Sequence, residues 1–158
     1  VLFTYRNATA ADQVYILDTD IKCFDFAWSP DAWAYAGEHY VIKLATYFRT
    51  PIGFATYLHD TENNIIQVPK IAVKAQYRNR NIGSKFVYEA VMYCHKLQAA
   101  YLQTIIPEAL VQPGDPHDIS GWLLKTGWKA TALVRDFFPN MGQKQDGVQF
   151  TLNPYGLT

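Results

Sequence analysis

Cysteine is scarce in this chain. Cys23 and Cys94 are too few for a disulfide framework, and no Cys/His spacing resembles a zinc site, so no metal is expected. An excess of either charge is also missing. Fourteen basic and fourteen acidic side chains cancel, so no global field draws the chain to nucleic acid or to an anionic membrane. No apolar run is long enough to span a bilayer. Arg6, Asp12, Asp18 and Asp20 break up the start of the chain, where a secretory signal would need an uninterrupted apolar stretch. Internal repeats, low-complexity tracts and linkers are absent as well. The expected setting is a reducing, cytoplasmic one with no membrane and no nucleic-acid partner; oligomeric state is not legible.

What is present is material for a core. Hydrophobic residues make up 49% of the 158 and charged residues 18%, which is a globular composition, expected to form one domain over residues 1–158. Leu2 to Arg6 alternates as a short edge strand. Thr9 is placed to cap a helix running to about Phe24, with Val14, Leu17 and Ile21 expected inward. Ser29-Pro30-Asp31 opens a second short helix. Tyr40 to Phe48 and Ile52 to His59 read as strands joined by an Arg49-Thr50-Pro51 turn. Ile65 to Val73 is a further strand, and Pro69 within it points to an edge or a bulge. Ile82, Phe86, Ala90, Val91, Cys94 and Leu97 then recur at helical spacing, which puts a buried free thiol at Cys94. Ala99 to Ile106 is a strand, Ile119 to Thr126 a helix ended by Gly127, and Trp128 to Phe138 and Val148 to Leu152 close the chain as strands.

The densest information lies between the Ile71-Ala72-Val73 strand end and the helix that starts near Ile82. The loop Arg78-Asn79-Arg80-Asn81 brings two guanidinium groups to a helix start, where backbone N–H groups are unpaired and the helix dipole favours an anion. Gly83 adds no Cβ, so a ligand can approach the backbone there. Ser84 completes the first turn. Phosphate or pyrophosphate suits this arrangement. Lys70, Lys74 and Lys85 extend the basic cluster against a neutral background, as one phosphate-bearing ligand would require. A Walker loop would need Gly-Lys-Ser/Thr, and a dinucleotide fold three glycines; neither occurs.

The same segment resembles the acetyl-coenzyme A loop of the GNAT N-acetyltransferases, Gln/Arg-x-x-Gly-x-Gly/Ala after a strand ending in Ala-Val. Asn81 stands where that pattern has its first glycine, and asparagine tolerates the left-handed turn better than other side chains. Leu124-Lys125-Thr126-Gly127-Trp128 is similar to the family's Tyr-x-Lys-x-Gly-Phe ending. The resemblance covers nearly the whole chain. It implies an α/β fold with a central twisted mixed sheet of about seven strands, flanked by about four helices and splayed at the cofactor cleft. It also implies acetyl-CoA (or CoA) as the cofactor, held by Ile71, Ala72, Val73 and by Arg78, Asn79, Arg80, Asn81, Ile82, Gly83 and Ser84.

Within the family the look is closest to the branch that acetylates protein N-termini, ribosomal-protein alanine acetyltransferases included. Phe24-Asp25-Phe26-Ala27-Trp28-Ser29 resembles one wall of that branch's peptide slot, and Arg135-Asp136-Phe137-Phe138-Pro139 the other. Phe26, Trp28, Phe137 and Phe138 are therefore the expected substrate-binding residues, with phenylalanines where the second wall usually has tyrosines. The usual proton-donating tyrosine falls on Leu123, and the usual carboxylate positions on Gln67 and on Ile105 or Ile106. Glu108 and His117 remain as catalytic candidates, and a histidine can relay a proton near neutrality. The implied reaction is acetyl transfer to a primary amine, most simply a polypeptide N-terminus. A small amine acceptor, or a degenerate member that binds CoA or a protein without catalysis, stays open.

Overall fold

The structure is a computed structural model that describes residues 2–24, 26–112, 119–138 and 145–156. Strand β1 (Thr4–Asn7) leads through a 3-10 turn into α1 (Gln13–Cys23) and α2 (Pro30–His39). Three strands follow, β2 (Val41–Tyr47), β3 (Thr50–Asp60) and β4 (Ile65–Val73), and then α3 (Ile82–Leu97). The chain continues through β5 (Leu102–Pro107), α4 (Ser120–Lys125), β6 (Lys129–Phe138) and β7 (Gln145–Leu152). The strands form one seven-stranded sheet in the order β1-β2-β3-β4-β5-β7-β6. All neighbours are antiparallel except β4 and β5. That one parallel pair needs a crossover, and α3 supplies it.

Each face of the sheet buries a helix. On one side Ile82, Phe86, Val87, Ala90 and Cys94 of α3 pack onto Ile66 and Val68 of β4 and Leu102 of β5. Tyr57 is the polar exception in this layer, and its hydroxyl donates to the Phe86 carbonyl at 2.8 Å. On the other side Ile16 of α1 and Trp33 and Ala36 of α2 cover Leu44, Phe54 and Ala72. Cys94 is buried and free, as its place on the α3 stripe predicts.

Pro69 does sit in a bulge. Thr56 faces Lys70 across the β3–β4 ladder while Leu58 faces Gln67, so β4 carries one residue more than β3 over this stretch. The extra residue reverses the alternation. Before it, Ile66 and Val68 point to the α3 side; after it, Lys70 and Ala72 point to the α1–α2 side, and Ile71 and Val73 take over the α3 side.

Two local expectations fail. Val14 and Ile21 of α1 are 78% and 70% exposed, whereas Ile16, Thr19 and Asp20 are buried. The inward stripe of α1 is centred on an acid with a specific partner, and hydrophobicity alone does not show that. The β2–β3 turn is made by Phe48 and Arg49, both left-handed with φ of 48° and 70°, and Thr50 and Pro51 already belong to β3. A two-residue hairpin turn of this hand matches the twist of the strands, which outweighs the poor fit of these side chains to positive φ.

At the edge of the α1 layer, Arg6 grips Asp12 with two hydrogen bonds of 2.8 and 2.9 Å, and the Thr9 amide adds a third at 2.7 Å. The Arg6 hydrogen bonds hold the Asp12 carboxyl down at about 2, below its ordinary 3.8. A depressed carboxylate stabilises the fold above the unfolded value and loses that contribution as pH falls toward the folded one. Between pH 5 and pH 2 the wild type should therefore lose about 1–2 kcal/mol more than Asp12→Asn, the half-exposed Arg6 screening part of the effect. Urea unfolding at the two pH values reads this directly; equal losses would mean the pair contributes nothing.

Candidate active site

The β4–β5 pair opens almost as soon as it forms. Backbone pairing is confined to Ile66 with Leu102 and Gln67 with Gln103. One further tie, the Thr104 hydroxyl donating to the Val68 carbonyl at 2.7 Å, closes the join. Beyond it, the β4 edge from Pro69 to Val73 has no strand partner among the described residues on the β5 side. An open strand edge next to a proline bulge can accept an extended amide-bearing chain as a further strand would.

At the end of that edge the chain turns into α3. Asn79 and Asn81 are both left-handed, with φ of 60° and 63°, so asparagine occupies the turn positions that the missing glycine would fill. The first amide bonded at this helix start is that of Lys85, to the Asn81 carbonyl at 3.0 Å. The amides of Ile82, Gly83 and Ser84 have no acceptor among the described residues, which leaves three donors at the positive end of a sixteen-residue helix. Arg78 and Arg80 are exposed beside them. Arg78 donates through Nε to the Val73 carbonyl at 3.0 Å, which ties the loop to the end of β4, and Arg80 lies over the Tyr77 ring. A Cβ on Gly83 would meet Trp122 Cζ2 at 3.4 Å, an ordinary contact.

On the α1–α2 side the opening between β4 and β5 widens into a cavity of about 170 Å³. Phe26 and Trp28 come to it from the α1–α2 connection, and Phe137 and Phe138 from the end of β6. All four residues expected from the sequence therefore line one cavity. The two walls touch, since the Phe26 and Phe138 rings lie 5.1 Å apart. Gln67, Gln103, Thr104 and Ile105 line it between them, so both positions on which the family's usual carboxylate falls carry neutral side chains. Tyr40 also lines the cavity, with its ring 5.7 Å from that of Trp28; burial raises its hydroxyl above the ordinary tyrosine value. The described lining contains no carboxylate.

Lys70 corrects the reading of the basic cluster. Its ammonium does not belong with Lys74, Arg78, Arg80 and Lys85, because the bulge turns it inward to a side-chain exposure of 0%. Nζ donates to Asp20 Oδ1 at 2.5 Å and to the Phe26 carbonyl at 3.0 Å, and the rings of Phe24, Phe26 and Trp28 each lie 4.9 Å away. Asp20 Oδ2 in turn accepts from the Trp28 amide and from Trp33 Nε1, both at 2.8 Å. Burial pulls the Lys70 ammonium below the ordinary lysine value, against the opposing pull of Asp20. The sequence carries a signal for this pair: Asp20 follows Ile16 by four residues and so shares its inward face.

Leu123, at the place of the usual tyrosine, is buried in the α3-side core. It is held there by the end of α4, where the Trp128 amide bonds to the Leu123 carbonyl and that of Gly127 to Leu124, with Gly127 at φ 100°. Glu108 is exposed in the 3-10 turn just past β5 and is not among the residues lining the cavity. His117 lies outside the described residues.

A model of the acetyltransferase (GNAT) family matches residues 10–109. The chain belongs to the GNAT family of acetyltransferases, whose acyl donor is acetyl-coenzyme A. No curated protein matches it in sequence. Among solved structures, Arabidopsis thaliana NAA60 in complex with acetyl-CoA superposes with a TM-score of 0.82 at 13% identity, covering 98% of this chain and 100% of that one. The ribosomal-protein-S18-alanine N-acetyltransferase from Escherichia coli gives 0.77 at 16%, covering 99% and 97%. Arabidopsis thaliana Naa50 in complex with the bisubstrate analogue CoA-Ac-MVNAL gives 0.77 at 15%, covering 96% and 98%. At such identities the likeness establishes the fold. No helix among the described residues is long and apolar enough to cross a membrane.

Proposed function

We propose that this chain, read as one domain, acetylates the N-terminal amine of a polypeptide. The observation that carries the reading is the single cavity at the β4–β5 opening, walled by Phe26 and Trp28 on one side and Phe137 and Phe138 on the other. The open β4 edge and the three free amides of α3 fit the cofactor on the residues present. When bound, acetyl-coenzyme A supplies an acetyl group on a thioester. Arg78, Arg80 and the amides of Ile82, Gly83 and Ser84 would hold its phosphates, with Asn79 and Asn81 shaping the turn. Ile71, Ala72 and Val73 would take its amide-bearing arm along their free edge. The aromatic walls exclude water and align the incoming amine, so most of the acceleration comes from placement.

A cavity whose described lining holds no carboxylate, and whose one lysine, Lys70, is already paired with Asp20, favours an α-amine. An α-amino group has a pKa near 7.7–8.0, so at neutral pH a fair fraction is already unprotonated, whereas lysine at about 10.4 is almost wholly charged. A lysine side chain or polyamine therefore needs a base, and the described lining offers none. Naa50's complex with a peptide bisubstrate analogue, on the same fold, supports a peptide in this place.

The test is acetyl transfer followed by mass spectrometry, with free N-terminal peptides, N-terminally blocked peptides carrying internal lysines, and polyamines as competing acceptors. N-terminal peptides should be modified at least about tenfold faster, in line with the difference in neutral amine. Preference for polyamines would overturn the peptide reading. In the same assay Glu108→Gln should be nearly silent; a loss of ~10²-fold with acetyl-CoA affinity intact would assign Glu108 the proton-accepting role.

A further inference from the structure

The wall of the cavity contributed by Phe26 and Trp28 lacks the support that the rest of the site has. It belongs to neither α1 nor α2, and no strand among the described residues pairs with it. The main-chain groups of Phe26 and Trp28 are held by one buried ion pair: Lys70 donates to the Phe26 carbonyl, and Asp20 accepts from the Trp28 amide. Asp20 also fixes the indole of Trp33, whose ring lies 4.8 Å from that of Trp28. The pair thus reaches both ends of the wall and the ring behind it.

Stability alone does not require such a pair. A buried ion pair is often no more stabilising than apolar side chains of similar volume, because desolvation offsets most of its attraction. Apolar replacements, however, have nothing to offer a carbonyl at residue 26 or an amide at residue 28. The bulge at Val68–Pro69 is what turns Lys70 to this face at all.

We propose that Lys70 and Asp20 are positioning residues that set the width of the acceptor slot, and through it which first residue of a substrate enters. This rests on the peptide reading above. Neither side chain touches the substrate; both act through Phe26 and Trp28.

The informative variant is the double substitution Lys70→Met/Asp20→Leu, which keeps volume and removes both charges together, since either single change risks unfolding. Its thermal midpoint should stay near that of the wild type and its affinity for acetyl-CoA within twofold, while the acceptor KM rises at least about tenfold, as misplacement by a fraction of an ångström would cause. Hydrogen exchange in the Phe26–Ser29 segment should quicken in parallel, with α3 and β3 unchanged. A purely structural pair predicts the opposite: once the midpoint is restored, KM and exchange are restored with it. Unchanged KM and unchanged exchange in the folded double variant would overturn the proposal. If the wild type takes some other amine, the peptide reading falls, and KM for that amine together with the exchange data decides the positioning role by the same criteria.

Discussion

Asp20→Ala should destabilise the protein by about 3–5 kcal/mol, the range expected when one partner of a buried ion pair is removed. The ammonium of Lys70 would be left with a side-chain exposure of 0%, one carbonyl and a set of aromatic faces in place of a carboxylate. The Trp28 amide and Trp33 Nε1 would lose their acceptor in the same step. Against a total stability of about 5–15 kcal/mol for an ordinary domain, that is a large share. Urea unfolding of wild type, Asp20→Ala and Lys70→Met/Asp20→Leu measures it. The double variant should recover most of the loss, because no charge is then buried without its partner. A cost below about 1 kcal/mol for Asp20→Ala would mean that water reaches the pair, as surface pairs of that strength are solvated.

The second large effect is expected at Gly83. Replacing it with glutamate should lower affinity for acetyl-CoA by at least ~10²-fold, or about 2.7 kcal/mol, while leaving the fold intact. A carboxylate in the first turn of α3 suits the helix dipole, so helix formation does not suffer. The same carboxylate competes with phosphate for the amides of residues 82–84 and repels it. Gly83→Ala separates bulk from charge, because its Cβ meets only Trp122, at ordinary contact distance. Alanine should keep or slightly raise the thermal midpoint, as expected for a glycine replaced within a helix. Titration calorimetry with acetyl-CoA reads the three proteins side by side. Wild-type affinity in Gly83→Glu would remove the phosphate from this helix start altogether.

The parts of this molecule that read cleanly from the sequence are those governed by local rules. The α3 stripe from Ile82 to Cys94, the left-handed Asn81 and the Gly127 stop of α4 each follow from one residue's backbone freedom or from a fixed period. The four aromatics that line the cavity are singled out in the sequence through resemblance alone, and the fold brings them together from positions more than a hundred residues apart. What escaped depends on pairs. Lys70 looks like one more basic residue near a basic loop until the strand's alternation is known, and the alternation turns on a bulge whose exact residue the sequence leaves open. Asp20 takes the inward place that hydrophobicity gives to Val14 and Ile21, because a buried acid counts against burial until its partner is found. Phe48 and Arg49 escaped for a similar reason: neither favours positive φ, and only the demand of the hairpin puts them there.

The extra residue in β4 acts on the strand as a frameshift acts on a gene. Upstream of Val68 the strand is read in one frame, odd residues to one layer and even to the other; downstream of Pro69 it is read in the second frame. Pairing the same residues without the bulge would leave every neighbour's chemistry unchanged and still exchange the audiences of Lys70, Ile71, Ala72 and Val73. The ammonium would be sent into the α3 layer and an isoleucine toward the carboxylate. Removing one residue at the junction of such a straightened strand would restore the frame for the residues beyond it, as a second frameshift restores a gene. A change of length in this strand therefore keeps its faces only when the bulge changes with it.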